Sequence, residues 1–223
     1  MKNILSIDLD VFWNNSETIY INSNKKVDPT LNRYLEVFSK VKYDQFKIGM
    51  DHHELCFYLD QMDEPFTVSN LDAHHDLYGE DHKIWLNPIH IRGRAITIGN
   101  FFLQLMREKS LLKLNWFIPY YLNKVNSYGE LRKQIGEYYS KKVEISKLEE
   151  FKPIERYDLI FISVSPEWIP SYDLTIVASI FEAFSLETDL IAELIEKIKE
   201  RWEMGDDNAL IEKDRFKFAN SYK

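Results

Sequence analysis

Asp72-Ala73-His74-His75-Asp76 places two carboxylates and an imidazole two residues apart. On an extended backbone, side chains at alternate positions share a face, so Asp72, His74 and Asp76 would converge on one point and form a cation site. A shorter arrangement closes the apolar run Leu5-Ser6-Ile7-Asp8-Leu9-Asp10, where two like charges beside one another repel unless a cation neutralises them. Asp51-His52-His53-Glu54 is a third candidate: either His52 or His53 could complete a metal shell. The competing reading makes Asp72 and Asp76 helix caps and leaves the histidines at the surface.

The donors are carboxylates and imidazoles with no thiolate among them, a set that suits Mn²⁺ or a similar borderline-hard ion. Two such ions sharing carboxylates would lower the pKa of a water between them and give a hydroxide nucleophile near neutral pH. Two further residues could serve such a site. Glu167 follows an apolar strand and Pro166, at the same rim as the aspartates, where it is either a substrate contact or an ordinary rim carboxylate. His90 could carry a proton, because an imidazole titrates near operating pH, or it is a loop residue facing solvent. Phe12, Trp13, Trp85 and Trp168 flank the motifs and read mainly as packing.

The elements that must position these residues follow from hydrophobic patterning. Residues 2–9, 66–71, 114–121 and 157–164 read as strands, three of them running into a candidate motif. Helices are predicted from Asp28-Pro29 through Phe38, over 53–62, around Ile98, Phe101, Phe102, Leu105 and Met106, over 130–141, around Val177 to Phe184, and through Leu190, Leu194, Ile198 and Trp202. Residues 78–94 show no period and read as a long irregular segment. Strands alternating with helices predict a three-layer α/β/α open sheet, mostly parallel, forming a single domain over 1–223, with ligands bound outside the carboxyl ends of the strands.

Composition narrows the function classes. The 223 residues carry a net charge of −8, which argues against nucleic acid as a partner and suits a cationic substrate. One cysteine excludes an intrachain disulfide and a thiolate zinc cluster, as expected of a cytoplasmic protein. No apolar run approaches the roughly 20 residues that span a bilayer, and Asp8 and Asp10 would interrupt a signal-peptide core, so neither membrane nor export is expected. No internal repeat is evident.

The motifs together resemble a known family. Ser6-Ile7-Asp8-Leu9-Asp10 resembles the Ser-x-Asp-x-Asp motif of arginases and related ureohydrolases, Asp72-Ala73-His74-His75-Asp76 their Asp-Ala-His-x-Asp, and Gly49-Met50-Asp51-His52 their Gly-Gly-Asp-His. Ile98-Gly99-Asn100-Phe101-Phe102 and Ser163-Val164-Ser165-Pro166-Glu167 look like the smaller peptide arginases of ribosomal peptide biosynthesis. Those enzymes convert arginine residues of a precursor peptide to ornithine and release urea. The resemblance implies an arginase/deacetylase-like fold and two Mn²⁺ per chain. It makes His52, Asp72, Asp76 and Asp8 ligands of one ion, and Asp72, His74, Asp8 and Asp10 ligands of the other. Asp76 would also accept a hydrogen bond from the bridging hydroxide, His90 would be the proton shuttle and Glu167 would pair with the guanidinium. The chain departs from the family in order, because here the Ser-x-Asp-x-Asp strand precedes the other motifs.

Other functions compete. Arginine or agmatine could replace the peptide as substrate. A haloacid dehalogenase-type phosphohydrolase is suggested by Ile7-Asp8-Leu9-Asp10-Val11 and Gly205-Asp206-Asp207, although Phe12 and the helix before Gly205 do not suit it. A deacetylase with one Zn²⁺, or a binding module that keeps a metal without turnover, would also use part of the site.

Overall fold

The computed structural model describes residues 1–13, 27–77, 89–91, 94–97, 99–108, 110–119, 121–122, 124–166, 169–170 and 173–203, with the side chains of 89–91, 94 and 95 outside that description. Its strands in chain order are β1 (Lys2–Asp8), β2 (Lys42–Gly49), β3 (Phe66–Leu71), β4 (Ile89–Ile91), β5 (Arg94–Ile96), β6 (Leu111–Ile118), β7 (Val143–Lys147) and β8 (Arg156–Ser163). Six of them form an all-parallel sheet in the order β2-β8-β1-β3-β6-β7. The helices are α1 (Leu31–Phe38), α2 (Leu55–Leu59), α3 (Phe101–Arg107), α4 (Lys124–Ser140, interrupted at Gly136), α5 (Leu174–Ala183) and α6 (Thr188–Glu203).

Both faces of the sheet are covered, giving three layers. Leu5, Ile7, Ile160 and Ile162 pack with Leu31, Tyr34 and Phe38 of α1, Val177, Ile180 and Phe181 of α5, and Ile191, Leu194 and Ile198 of α6. On the other side Ile4, Val68, Leu114, Leu159 and Phe161 pack with Leu55 and Leu59 of α2, Phe101 to Met106 of α3, and Leu131 and Ile135 of α4. Alternate residues of β8 therefore enter opposite cores, which is why the central strands read as continuous apolar runs.

The edges are different. β2 reads Lys-Tyr-Asp-Gln-Phe-Lys-Ile-Gly and is mostly exposed or half-buried, and β7 buries only Val143 and Ile145. Neither carries the apolar run that announces a central strand, and polar residues on an edge oppose edge-to-edge pairing. The segment expected to be irregular, 78–94, contains β4, and β4 pairs antiparallel with β5 at and just beyond the segment's end.

Register brings the carboxyl ends into line. Ile7 sits beside Leu71, Asp8 beside Ser163, and Gly49 beside Ser163. Segments leaving β2, β8, β1 and β3 therefore emerge in a row. From β1 the chain goes to β2 on one side and then to β3 on the other, the reversal of direction that opens a crevice in parallel sheets. Among the described residues no helix is long and apolar enough to cross a membrane.

Candidate metal centre

Each motif is shaped by the turn that follows its strand. At the end of β1, Asp8 caps a 3₁₀ turn, Leu9–Phe12, and its Oδ1 accepts from the Asp10 amide at 3.5 Å. Asp10 is thereby folded back beside Asp8. Its Oδ1 in turn accepts from the Ala73 amide at 3.4 Å, joining the two aspartate motifs across 63 positions of chain.

Asp72 is fixed through its backbone to β6: its amide donates to Phe117 O at 3.2 Å and its carbonyl accepts from the Trp116 indole at 2.9 Å. Beyond it the backbone is not extended, contrary to the expectation from alternate spacing. The His74 amide donates to Asp72 Oδ1 at 2.7 Å, making a tight side-chain-closed turn, and Asp76 adopts a left-handed φ of +50°. The physical reason is that strand pairing ends at Leu71, so the aspartate's own side chain accepts from the amide two residues on. Asp72 and His74 share a donor group, whereas Asp76 belongs to neither group and lies against His52, its Oδ2 2.8 Å from Nδ1. His75 turns away: its Nδ1 accepts from the Leu77 amide at 3.0 Å and its ring lies edge-on to Trp116.

His52 follows β2 in a 3₁₀ turn, His52–Glu54, that Asp51 and Glu54 cap reciprocally. Its ring is fully buried among Phe101, Phe102 and Phe161. Nε2 lies 2.6 Å from Ser6 Oγ, while Nδ1 faces three carboxylates: Asp76 Oδ2 at 2.8 Å, Asp72 Oδ2 at 3.0 Å and Asp8 Oδ2 at 3.5 Å. On the other side of Asp72, His74 Nδ1 lies 3.1 Å from Asp10 Oδ2 and 3.8 Å from Asp72 Oδ1.

Two groups of donors result, Asp8 with His52 and Asp72, and Asp10 with Asp72 and His74. In each group the ligand atoms lie within 4.8 Å of one another, and Asp72 belongs to both. These residues could hold a metal ion. His52 Nδ1 and Asp10 Oδ2 are buried without meeting the geometry of a hydrogen bond, although opposite partners lie close by. Lone pairs aimed at a common point, and not at each other's hydrogens, produce that pattern.

The electrostatics agree. Burial pushes the Asp8 carboxyl well above its usual range, and Asp10 and Asp72 push it further. Burial likewise raises Asp72, reinforced by Asp76 and opposed by His52. For His52 burial disfavours the charged ring, but Asp72 and Asp76 outweigh it and hold the pKa well above normal. His74 is raised to about 10, burial being overcome by Asp10, Asp72 and Asp76, and its 37% exposed side chain lets solvent screen part of that pull. Surplus negative charge has been taken out of water, where protons or a cation must neutralise it.

Several supporting residues carry no sequence signal strong enough to single them out. Ser165 donates to Asp8 Oδ2 at 2.9 Å and its hydroxyl meets Ser163 Oγ at 2.9 Å. Asn70 Nδ2 donates to Asp72 Oδ2 at 3.2 Å. Serines two apart at the end of an apolar strand were the available clue, since alternation puts them on one face.

Of the remaining candidates, His53 is buried but belongs to neither donor group. His90 lies in β4, with its side chain outside the described residues, as are Glu167, Trp85, Trp168 and Gly205-Asp206-Asp207. Phe12 and Trp13 are fully buried packing residues. Comparison with protein-family models, with curated proteins and with solved structures finds no match to the chain.

Proposed function

We propose that this chain is a binuclear Mn²⁺-dependent hydrolase of guanidino groups, and that its substrate is an arginine residue of a precursor peptide, converted to ornithine with release of urea. The observation that carries the reading is the sharing of Asp72 by two largely buried Asp/His groups at the carboxyl ends of strands of one parallel sheet. Carboxylates and imidazoles without sulfur favour Mn²⁺ over softer ions. The net charge of −8 favours a cationic substrate.

Asp8, His52, Asp72 and Asp76 would hold one ion, and Asp8, Asp10, Asp72 and His74 the other, with Asp8 and Asp72 common to both. When bound, the pair would lower the pKa of a shared water and neutralise charge developing on the substrate. Water adds to the guanidinium carbon, the bond from that carbon to Nε breaks, and Nε leaves with a proton as the ornithine amine. Asp76, turned into the cluster by its left-handed backbone, would orient the attacking water. His90 would carry the proton to the leaving nitrogen, and Glu167 would pair with the guanidinium. Two donor groups would give Asp10 a task that a single-zinc deacetylase, which also leaves Asp76 without one, does not supply.

The test is to incubate Mn²⁺-loaded protein with arginine-containing peptides, free arginine and agmatine, measuring urea and the mass change of arginine to ornithine. Urea from peptide alone supports the full reading, and urea from the small molecules alone moves the substrate to a free guanidino compound. No product from any guanidino substrate overturns it. Phosphatase activity lost in Asp8→Asn but kept in His74→Ala would establish the phosphohydrolase alternative instead.

A further inference from the structure

The geometry points to Arg201, on the last turn of α6, as a positioning residue for the His52 side of the metal centre, an inference that rests on the metal-centre reading above. Its guanidinium makes a two-pronged pair with Asp51, Nη2 to Oδ1 at 2.7 Å and Nη1 to Oδ2 at 3.2 Å, across 150 positions of chain. Both side chains are largely shielded, 22% and 16% exposed, which separates this pair from the chain's solvent-facing ion pairs. Two parallel charge-assisted hydrogen bonds fix orientation as well as distance.

Asp51 is the residue immediately before His52, and it caps the turn that aims the His52 ring. An aspartate held from one side by Arg201 and from the other by the amide of Glu54 leaves the turn one orientation. The next residue of the same helix turn makes an independent contact: the Trp202 indole donates to Pro166 O at 2.8 Å, and Pro166 follows Ser165, the hydrogen-bond donor to Asp8. One helix end therefore holds the loops behind both His52 and Asp8. By contrast, the other donor group is held by contacts of the β1 and β3 turns among themselves, Asp10 with Ala73 and Asp72 with His74. Bracing of the His52 turn by Arg201 thus distinguishes the two halves of the centre, whereas the Trp202 contact stands behind Asp8, which the proposed reading shares between them.

The experiment titrates metal-stripped, full-length protein with Mn²⁺ alone, comparing wild type with Arg201→Met, Asp51→Asn, the double variant and Arg201→Lys. Methionine keeps an aliphatic stem, and asparagine keeps the cap while losing the charge. Expected is weakening of one of two binding events by about tenfold or more in Arg201→Met and Asp51→Asn, the scale on which supporting contacts act. The other event keeps its affinity, the double variant is no weaker than the worse single one, and Arg201→Lys recovers part of the loss. Wild-type affinity in both single variants, or equal weakening of both events, overturns the positioning role while leaving the metal reading intact. A wild type that binds no Mn²⁺ overturns both. Circular dichroism accompanies each titration, and if Arg201→Met loses its fold, Asp51→Asn decides by the same criteria.

Discussion

Ser6 Oγ lies 2.6 Å from His52 Nε2, on the far side of the ring from the carboxylates that face Nδ1. For Nδ1 to offer a lone pair to a cation, Nε2 must carry the hydrogen, and Ser6 is placed to accept it. Ser6→Ala is expected to weaken Mn²⁺ binding about 10–100-fold, the usual range for losing such a partner. Calorimetric titration checks this, and near-wild-type affinity would remove Ser6 from the supporting set.

Asp72 belongs to both donor groups, whereas Asp10 belongs to one. Asp72→Asn is therefore expected to abolish tight binding of both ions, and Asp10→Asn to abolish one. Metal content per chain after gel filtration distinguishes the two, and equal losses in both variants would mean that Asp72 does not bridge.

The pH dependence has a definite sign in the metal-free protein. Asp8, Asp72, His52 and His74 all have pKa values raised above 3.8 or 6.5, their respective ordinary values. The native state therefore binds protons more tightly than the unfolded chain, so this stabilisation is complete in acid and is lost as pH rises through the raised values, up to about 10 for His74. Mn²⁺ bound there would replace those protons, so the Tm gain on adding it should grow from mildly acidic to mildly alkaline buffer. Scanning calorimetry with and without Mn²⁺ tests this. A gain that shrinks with pH would contradict it.

Gly49 is needed for space. A Cβ there would come within 2.6 Å of the Phe161 ring and 3.0 Å of Glu54 Oε2, in the strand end that leads to His52. Phe161 lies parallel to the His52 ring, 6.4 Å between centroids, so displacing it disturbs His52 as well as the core. Gly49→Ala should cost about 1–3 kcal/mol, the usual penalty of overpacking. Denaturant unfolding measures it, and the same variant should bind Mn²⁺ more weakly.

The layered architecture was readable because β1 and β8 are buried on both faces and so keep their apolar runs, Leu159 to Ile162 being the clearest. β2 and β7 left no such trace, because polar residues such as Lys42, Asp44 and Glu144 interrupt their apolar pattern. The residue types of the site were equally visible, but their geometry was not. Alternate spacing suggested one extended face for Asp72, His74 and Asp76, whereas a side-chain-closed turn and a left-handed Asp76 place them around two points. Arg201 could not be found from spacing at all, its partner lying 150 positions away, and Ser165, 157 positions from Asp8, had only its spacing from Ser163 as a clue.

Those separations also bear on refolding. β1 is hydrogen-bonded along both sides, to β3 and to the much later β8, so it gains its full set of partners only after large loops have closed. Topologies of that kind fold slowly, since closure entropy is spent before distant contacts return it. Mn²⁺ added to the denatured chain should therefore leave the refolding rate nearly unchanged while slowing escape from the finished structure, because its ligands do not share a locality until the sheet exists.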